Sequence, residues 1–105
     1  MALSFKKLAQ AQLSTVVAAT YTVPAATQAI IKSIVYANTS GLAVAVTAYD
    51  GAADDAHTIT PGVSVPGTGL YTETDTKTMD AGQVFRAKAG ANTSVTVTIY
   101  GLETA

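Results

Sequence analysis

The chain has 105 residues, which is the usual length of one domain built around one hydrophobic core. It contains no cysteine, and this excludes disulfide bonds, thiolate metal sites and a thiol nucleophile. Only 12% of the residues are charged, about half the usual share in soluble domains, and the net charge is −1. We therefore expect no nucleic-acid partner, which needs a basic surface, and no membrane partner, since no apolar run approaches the roughly 18 residues of a membrane span.

The first 13 residues are predicted to form an arm in front of the folded domain. They include the apolar residues Leu3, Phe5 and Leu8, but lysine and glutamine interrupt any regular core pattern. Such a segment favours docking on a neighbouring protein, with backbone hydrogen bonds of the kind that strand addition provides. The sequence therefore predicts an N-terminal arm over 1–13, a domain over 14–105, and an interface that includes Leu3, Phe5 and Leu8.

Alternation of apolar and polar side chains predicts most of the strands. The alternation is clearest over 43–49 and 94–100, where β-branched residues are also frequent. The segment 50–69 is rich in glycine and proline and is predicted to be a long mobile loop, with brief pairing near 57–60. In chain order, the predicted strands are 20–23, 28–37, 43–49, 70–77, 84–89 and 94–100.

The predicted strand 28–37 is apolar on both faces. A strand of this kind either lies between two layers or presents its outer face to another subunit. Strict alternation puts Ile30, Ile34 and Tyr36 on one face, which we predict to be an interface. The opposite face would then point into the core, although a shift of one residue in register would exchange the two faces. The predicted core residues are Ile31, Val35, Val44, Val46, Phe85, Val95, Val97 and Ile99.

Strands separated by turns, with no convincing long helix, predict an all-β fold consisting of a single β-sandwich, jelly-roll-like in topology. A repeated motif supports this interpretation. Asn38-Thr39-Ser40 and Asn92-Thr93-Ser94 each precede an alternating strand. Asparagine and serine are good turn formers, so each copy is predicted to be a corner that leads into a core strand.

The one histidine, His57, lies close in sequence to Asp50, Asp54 and Asp55. A metal site needs several ligands at a characteristic spacing, and a calcium loop needs an Asp-x-Asp-x-Asp-Gly pattern. Neither pattern is present, and the four residues are typical of a solvated loop. We therefore predict no metal site and no cofactor.

Glu73 and Asp75 stand two residues apart on a predicted strand, an arrangement that puts two carboxylates on one face. A glycosidase pair also requires a cleft and aromatic platforms for sugar, and Lys77 beside these residues favours ordinary charge pairing. The chain has no Gly-x-Ser-x-Gly elbow and no phosphate-binding loop with its lysine. We therefore predict that the protein is not an enzyme and has no catalytic residues.

Several short motifs resemble a family of small virion proteins from tailed bacteriophages. The resemblance covers residues 8–49, less than half of the chain. The family shares a Tyr-Thr-Val-Pro-Ala step, a strand rich in isoleucine and valine, and an Asn-Thr-Ser turn into an alternating strand. The matching segments here are Leu8-Ala9-Gln10, Tyr21-Thr22-Val23-Pro24-Ala25, Ile30-Ile31-Lys32-Ser33-Ile34 and Asn38-Thr39-Ser40.

The resemblance implies a β-sandwich that serves in a virion as a capsid decoration (cement) protein or as a module of tail and fibre components. We therefore expect a structural protein of the capsid surface that contacts the major capsid protein or other virion proteins. The two-faced apolar strand 28–37 and the weakly charged surface further predict a homotrimer or a similar cyclic oligomer. Two alternatives remain. One is a tail, neck or fibre component of the virion, and the other is a lectin-like carbohydrate-binding module, because jelly rolls also serve as lectins.

Overall fold

The computed structural model describes residues 6–104 and consists almost entirely of β-strands. Its one helical element is a single 3₁₀ turn at Asp55–His57, within the described residues. The strands are β1 (Lys6–Gln12), β2 (Ala18–Thr22), β3 (Gln28–Asn38), β4 (Val44–Asp50), β5 (Thr58–Val65), β6 (Leu70–Glu73), β7 (Lys77–Met79), β8 (Val84–Ala89) and β9 (Val95–Thr104).

The strands form two antiparallel sheets that pack face to face. Sheet one has the order β1-β9-β3-β6, with β7 also paired to β3, and sheet two has the order β2-β8-β4-β5. The pairing is nested, because β1 pairs with β9, β2 with β8, β3 with β6 and β7, and β4 with β5. Such nesting is that of a long antiparallel hairpin rolled up on itself. The predicted single β-sandwich is confirmed, and its topology is that of a jelly roll.

A β-bulge in β3 decides which side chains of this central strand reach the core. Ile31 lies opposite Gly101 and Ser33 lies opposite Tyr100, so Lys32 is an extra residue without a partner on β9. An extra residue reverses the alternation of side chains beyond it. The backbones of β3 and β9 pack closely at the bulge. A Cβ atom on Gly101 of β9 would collide with the carbonyl oxygen of Ile30 on β3.

The bulge corrects the predicted faces of this strand. Ile34 and Tyr36, predicted to lie on an outer interface, are 1% and 0% exposed and point into the core. Val35, predicted for the core, is only partly buried and lies outside. Ile30 does lie on the outer face, where it is partly exposed. All the other predicted core residues are confirmed, namely Ile31, Val44, Val46, Phe85, Val95, Val97 and Ile99.

Part of the predicted N-terminal arm belongs to the sandwich. Residues 6–12 are strand β1, which pairs with β9 along the edge of sheet one. Leu8 is half-buried and packs against the core. The predicted boundary after residue 13 therefore does not separate an arm from the domain in the described residues, because backbone pairing joins the two. Leu3 and Phe5 lie outside the described residues.

The predicted long loop over 50–69 is wrong, because much of it is strand β5. Pro61 and Gly62 hid this strand from the sequence pattern. They fit because β5 is an edge strand, where a missing backbone N–H costs no pairing, and because the ladder to β4 is irregular between Val46 and Ala48. Gly62 has a φ of 60°, which glycine adopts without strain. The predicted strand 70–77 is interrupted and forms β6 and β7.

Two carboxylates of sheet one link the two sheets. Glu73 accepts a hydrogen bond from the hydroxyl of Thr60 on β5 at 2.5 Å, and Lys77 lies 3.4 Å from its other oxygen. Because Thr60 donates to Glu73, the hydroxyl of the buried Tyr36 donates to Thr60, at 2.9 Å. This chain of bonds satisfies polar groups that would otherwise be costly to bury.

Glu103, on the inner strand β9 of sheet one, makes a corresponding link between the sheets. It accepts a hydrogen bond from the hydroxyl of Tyr21 on β2 at 2.5 Å, and Lys6 on β1 lies 2.8 Å away. The hydrogen bonds from Lys6 and then Tyr21 lower the pKa of Glu103. Burial, and then the bond to Glu103, raises the pKa of Tyr21, so its hydroxyl remains a donor.

Replacing Glu73 with alanine is expected to lower the free energy of unfolding by about 2–4 kcal/mol, because the half-buried Lys77 and the buried Thr60 both lose their partner. Glu73→Gln keeps an acceptor for Thr60 and should lose less. Urea denaturation measures both. The exposed Asp75 offers a matched control, whose replacement by alanine should change stability by less than about 0.5 kcal/mol. Equal losses at the two positions would contradict the internal role of Glu73.

Acidification is expected to remove the contribution of Glu103 to stability. Its folded-state pKa lies below the ordinary value of 4.5, so the contribution is present above that pH and is lost as the pH falls through the lower value. Urea denaturation at a series of pH values measures this loss. The free energy of unfolding of Glu103→Gln should fall less on acidification than that of the unmodified protein. Parallel pH profiles for the two proteins would show that Glu103 is not stabilised by folding.

Candidate interaction surface

Charged residues are absent from one end of the sandwich. Four connections meet there, at residues 13–17, 39–43, 66–69 and 90–94, and none contains lysine, arginine, histidine, aspartate or glutamate. We call these four loops, all of which the structure describes, the uncharged end. The connections at 23–27, 51–57 and 80–83 form the opposite, charged end, whereas residues 74–76 lie beside the middle of β3 at the edge of sheet one. In or beside that end lie five of the seven acidic residues, namely Asp50, Asp54, Asp55, Asp80 and Glu103, whereas Glu73 and Asp75 lie beside the middle of β3.

The uncharged end exposes large apolar side chains. Val16 and Leu42 are 70% and 79% exposed in two of its loops, and Leu70, directly after a third loop, is 63% exposed. Tyr100, which is exposed less, lies instead on the outer face of sheet one. Soluble proteins seldom collect apolar side chains on one uncharged region unless another molecule covers it. The uncharged end is therefore the candidate interaction surface of the described residues.

Backbone hydrogen bonds hold the loops of the uncharged end to one another. The Thr39 amide donates to the carbonyl of Ser94 at 2.9 Å, and the Thr68 amide donates to that of Ser40 at 2.8 Å. Gly67 packs so closely on Gly41 that a Cβ atom at Gly67 would lie 2.5 Å from the Gly41 carbonyl. The loops are thus fixed before any partner arrives, which limits the entropy that binding must offset.

The repeated Asn-Thr-Ser motif supplies two further links, and both copies lie at this end. Asn38 is 3% exposed, and its side-chain amide donates to the carbonyls of Leu42 and Val65 at 2.8 and 3.1 Å. The Asn92 carboxamide oxygen accepts a hydrogen bond from the Thr15 amide at 3.0 Å. The two predicted turns are confirmed, and their asparagines tie neighbouring loops together.

A shallow groove on the outer face of sheet two leads into the uncharged end. It consists of two adjoining depressions of about 350 and 270 Å³ that share Ala45 and Gly90 in their lining. Small side chains line most of the groove. Leu42 stands in one depression, and Lys88 is the one charged side chain in the lining of the other. The groove adds concave contact area next to the exposed apolar side chains.

The residues predicted to form the interface do not come together. Ile34 and Tyr36 are in the core, Ile30 lies on the outer face of sheet one, and Leu8 is half-buried on β1. Sequence reasoning missed Val16, Leu42 and Leu70, which are isolated apolar residues in or beside turns. The sequence did contain a usable signal. The three turns in or beside which these residues lie are each surrounded by a stretch without charged residues. Only the fold brings those turns to one end.

The acidic and histidine residues considered for chemistry lie apart from this surface. His57 is exposed at the charged end with its Nδ1 2.6 Å from Asp54 Oδ1, and this hydrogen bond lowers the pKa of Asp54. Glu73 points inward whereas Asp75 is exposed, so the two do not form a pair on one face. Within residues 6–104, no three histidine or acidic side chains are grouped as metal ligands, and no helix is long and apolar enough to cross a membrane.

Comparisons with known proteins include a distant structural similarity. No protein-family model matches the chain, and no curated protein matches it. A chain in a solved structure titled "Structure of infectious bursal disease virus Gx strain" is similar at a TM-score of 0.35 and 14% sequence identity. The match covers 97% of this chain and 39% of that chain, so this chain spans about two fifths of its length.

Proposed function

We propose that the protein is a non-enzymatic structural protein of a virion that decorates and stabilises the head of a tailed bacteriophage. In this proposal it binds the major capsid protein at the capsid surface through protein–protein contacts. The observation that carries the proposal is the uncharged end, a rigid set of loops with Val16, Leu42 and Leu70 exposed. A surface of this kind suits contact with protein, because the buried centres of protein interfaces are depleted in charge.

Decoration requires only that a protein bind the assembled shell more tightly than its separated subunits. Binding of that kind stabilises the assembly by mass action and needs no catalytic group. The low charge of the chain and the fixed loops of the uncharged end both favour such binding. The motifs over residues 8–49 that resemble small phage virion proteins support the assignment to a phage virion.

Other kinds of virion structural protein would also bind their neighbours through the uncharged end. A tail, neck or fibre component also binds neighbouring virion proteins, and its location in the particle is the property that distinguishes it. A lectin-like module is less well supported, because sugar sites use exposed aromatic platforms. Among the described tyrosines only Tyr100 is exposed, and Tyr71 is stacked on the buried Tyr36 with ring centroids 6.0 Å apart.

The proposal predicts that the purified protein binds phage heads assembled without it and raises the temperature at which they release DNA. Co-sedimentation measures the binding, and a fluorescent DNA dye measures the release. Heads already saturated with the protein serve as the control and should take up no more. Gold-labelled protein found along the tail would replace the decoration function with a tail function, and absence from the particle would contradict a virion role.

We also propose that the protein forms a homotrimer or a similar cyclic oligomer through the outer face of sheet one. Ile30 and Leu102 are cross-strand neighbours on that face, with Val35 and Tyr100 further along it. Light scattering should give the mass of the oligomer, and Ile30→Lys should shift it toward a monomer because it places a charge in an apolar contact. A monomer at all concentrations would contradict the proposed oligomer.

A further inference from the structure

We infer that the uncharged end is the end that docks, and that it enters a concave, uncharged depression on a partner protein. The domain then stands upright on its partner with the charged end directed away. This inference rests on the proposed function, since it takes the partner to be a protein of the virion shell, and it adds the chemistry of the partner surface and the orientation of the domain.

The shape of the domain argues for a concave partner. The eleven residues of β3 span about 36 Å, so the longest dimension of the domain, 44 Å, follows the strands. The other two dimensions, 26 and 20 Å, give the end a cross-section of about 500 Å². A stable interface buries roughly 800 Å² on each partner. A partner that also encloses the flanks of the loops reaches that area more readily than a flat contact at this end.

The shape of this end also disfavours a second copy of this chain as the occupant. Val16 and Leu42 are more than two thirds exposed at loop positions, so they project outward and make the end convex. If two copies met end to end, their convex surfaces would be in contact over an area smaller than the cross-section of either end. A depression in a partner protein, in contrast, contacts the projecting side chains and the groove beside Leu42 together.

The charge distribution argues for an uncharged partner surface. None of the four loops has a charged side chain that can pair with a charge on the partner. A carboxylate or ammonium group facing them would lose its water without gaining an ion pair, which is strongly unfavourable. Lys88 lines the outer part of the groove and is the nearest charge along β8. The centre of the contact is therefore formed by apolar and neutral polar groups.

A lipid surface fits these observations less well than a protein does. Segments that bind membranes combine apolar residues with lysine or arginine, which are attracted to anionic lipids, and with tryptophan or tyrosine at the interface. The loops of the uncharged end contain no lysine, arginine, tryptophan or tyrosine. Membrane binding is accordingly an outcome that the experiment below must distinguish.

The test measures binding to phage heads assembled without this protein. Leu42→Asp and Val16→Asp should each weaken binding about tenfold or more, because each places a charge inside an uncharged contact. Ala25→Asp, at an exposed position of the charged end, is the matched control and should bind as the unmodified protein does. All three positions are exposed, so unfolding curves of the variants should agree with that of the unmodified protein.

Salt dependence and vesicle binding complete the test. The affinity of the unmodified protein should change less than about twofold between about 50 mM and 1 M sodium chloride, because no ion pair is screened. Three results would overturn this inference alone, provided that the unmodified protein binds heads. They are a steep loss of affinity with salt, binding to phosphatidylcholine vesicles, and full binding by Leu42→Asp and Val16→Asp. Absence of binding by the unmodified protein would instead overturn the proposed function, and this inference with it.

Discussion

The long pairing of β3 with β9, with its one extra residue at Lys32, is the constraint on which the rest of sheet one depends. It turns Tyr36 into the core, where its hydroxyl reaches Thr60 of the opposite sheet. Thr60 in turn donates to Glu73, so the backbone irregularity and the polar link between the sheets are parts of one arrangement. Without the bulge, Ile34 and Tyr36 would face outward and the sandwich would lose two of its largest core side chains.

The few charges of the chain are placed where they join elements of the fold. Glu103 and Glu73 each accept a hydroxyl from sheet two and pair with a lysine from a neighbouring strand of sheet one. The Glu103 link lies near the charged end, and the Glu73 link lies beside the middle of β3. The uncharged end is held instead by backbone hydrogen bonds and asparagine side chains, which leave its exterior free of ionic groups. Different chemistry thus holds the two ends of the sandwich together.

The sequence pattern predicts those parts of the fold that obey strict alternation. The strands over 84–89 and 94–100, and core residues such as Phe85 and Val97, follow from period two alone. The bulge at Lys32 was not predictable, because it is required by the fit of two backbones at Gly101 rather than by side-chain polarity. Strand β5 was hidden by Pro61, which an edge strand tolerates. The interaction surface was missed because residues far apart in the chain form it.

The irregular edges of the two sheets have a consequence for a protein crowded on a surface. An exposed, regular strand edge invites pairing with another chain and, at high local concentration, amyloid-like aggregation. Here β5 contains Pro61, β1 begins with two lysines, and a three-residue gap at 74–76 separates β6 from β7. The fourth edge strand, β2, has only five residues, so every edge is short, interrupted or charged at its start. Many copies held side by side can remain separate folded domains.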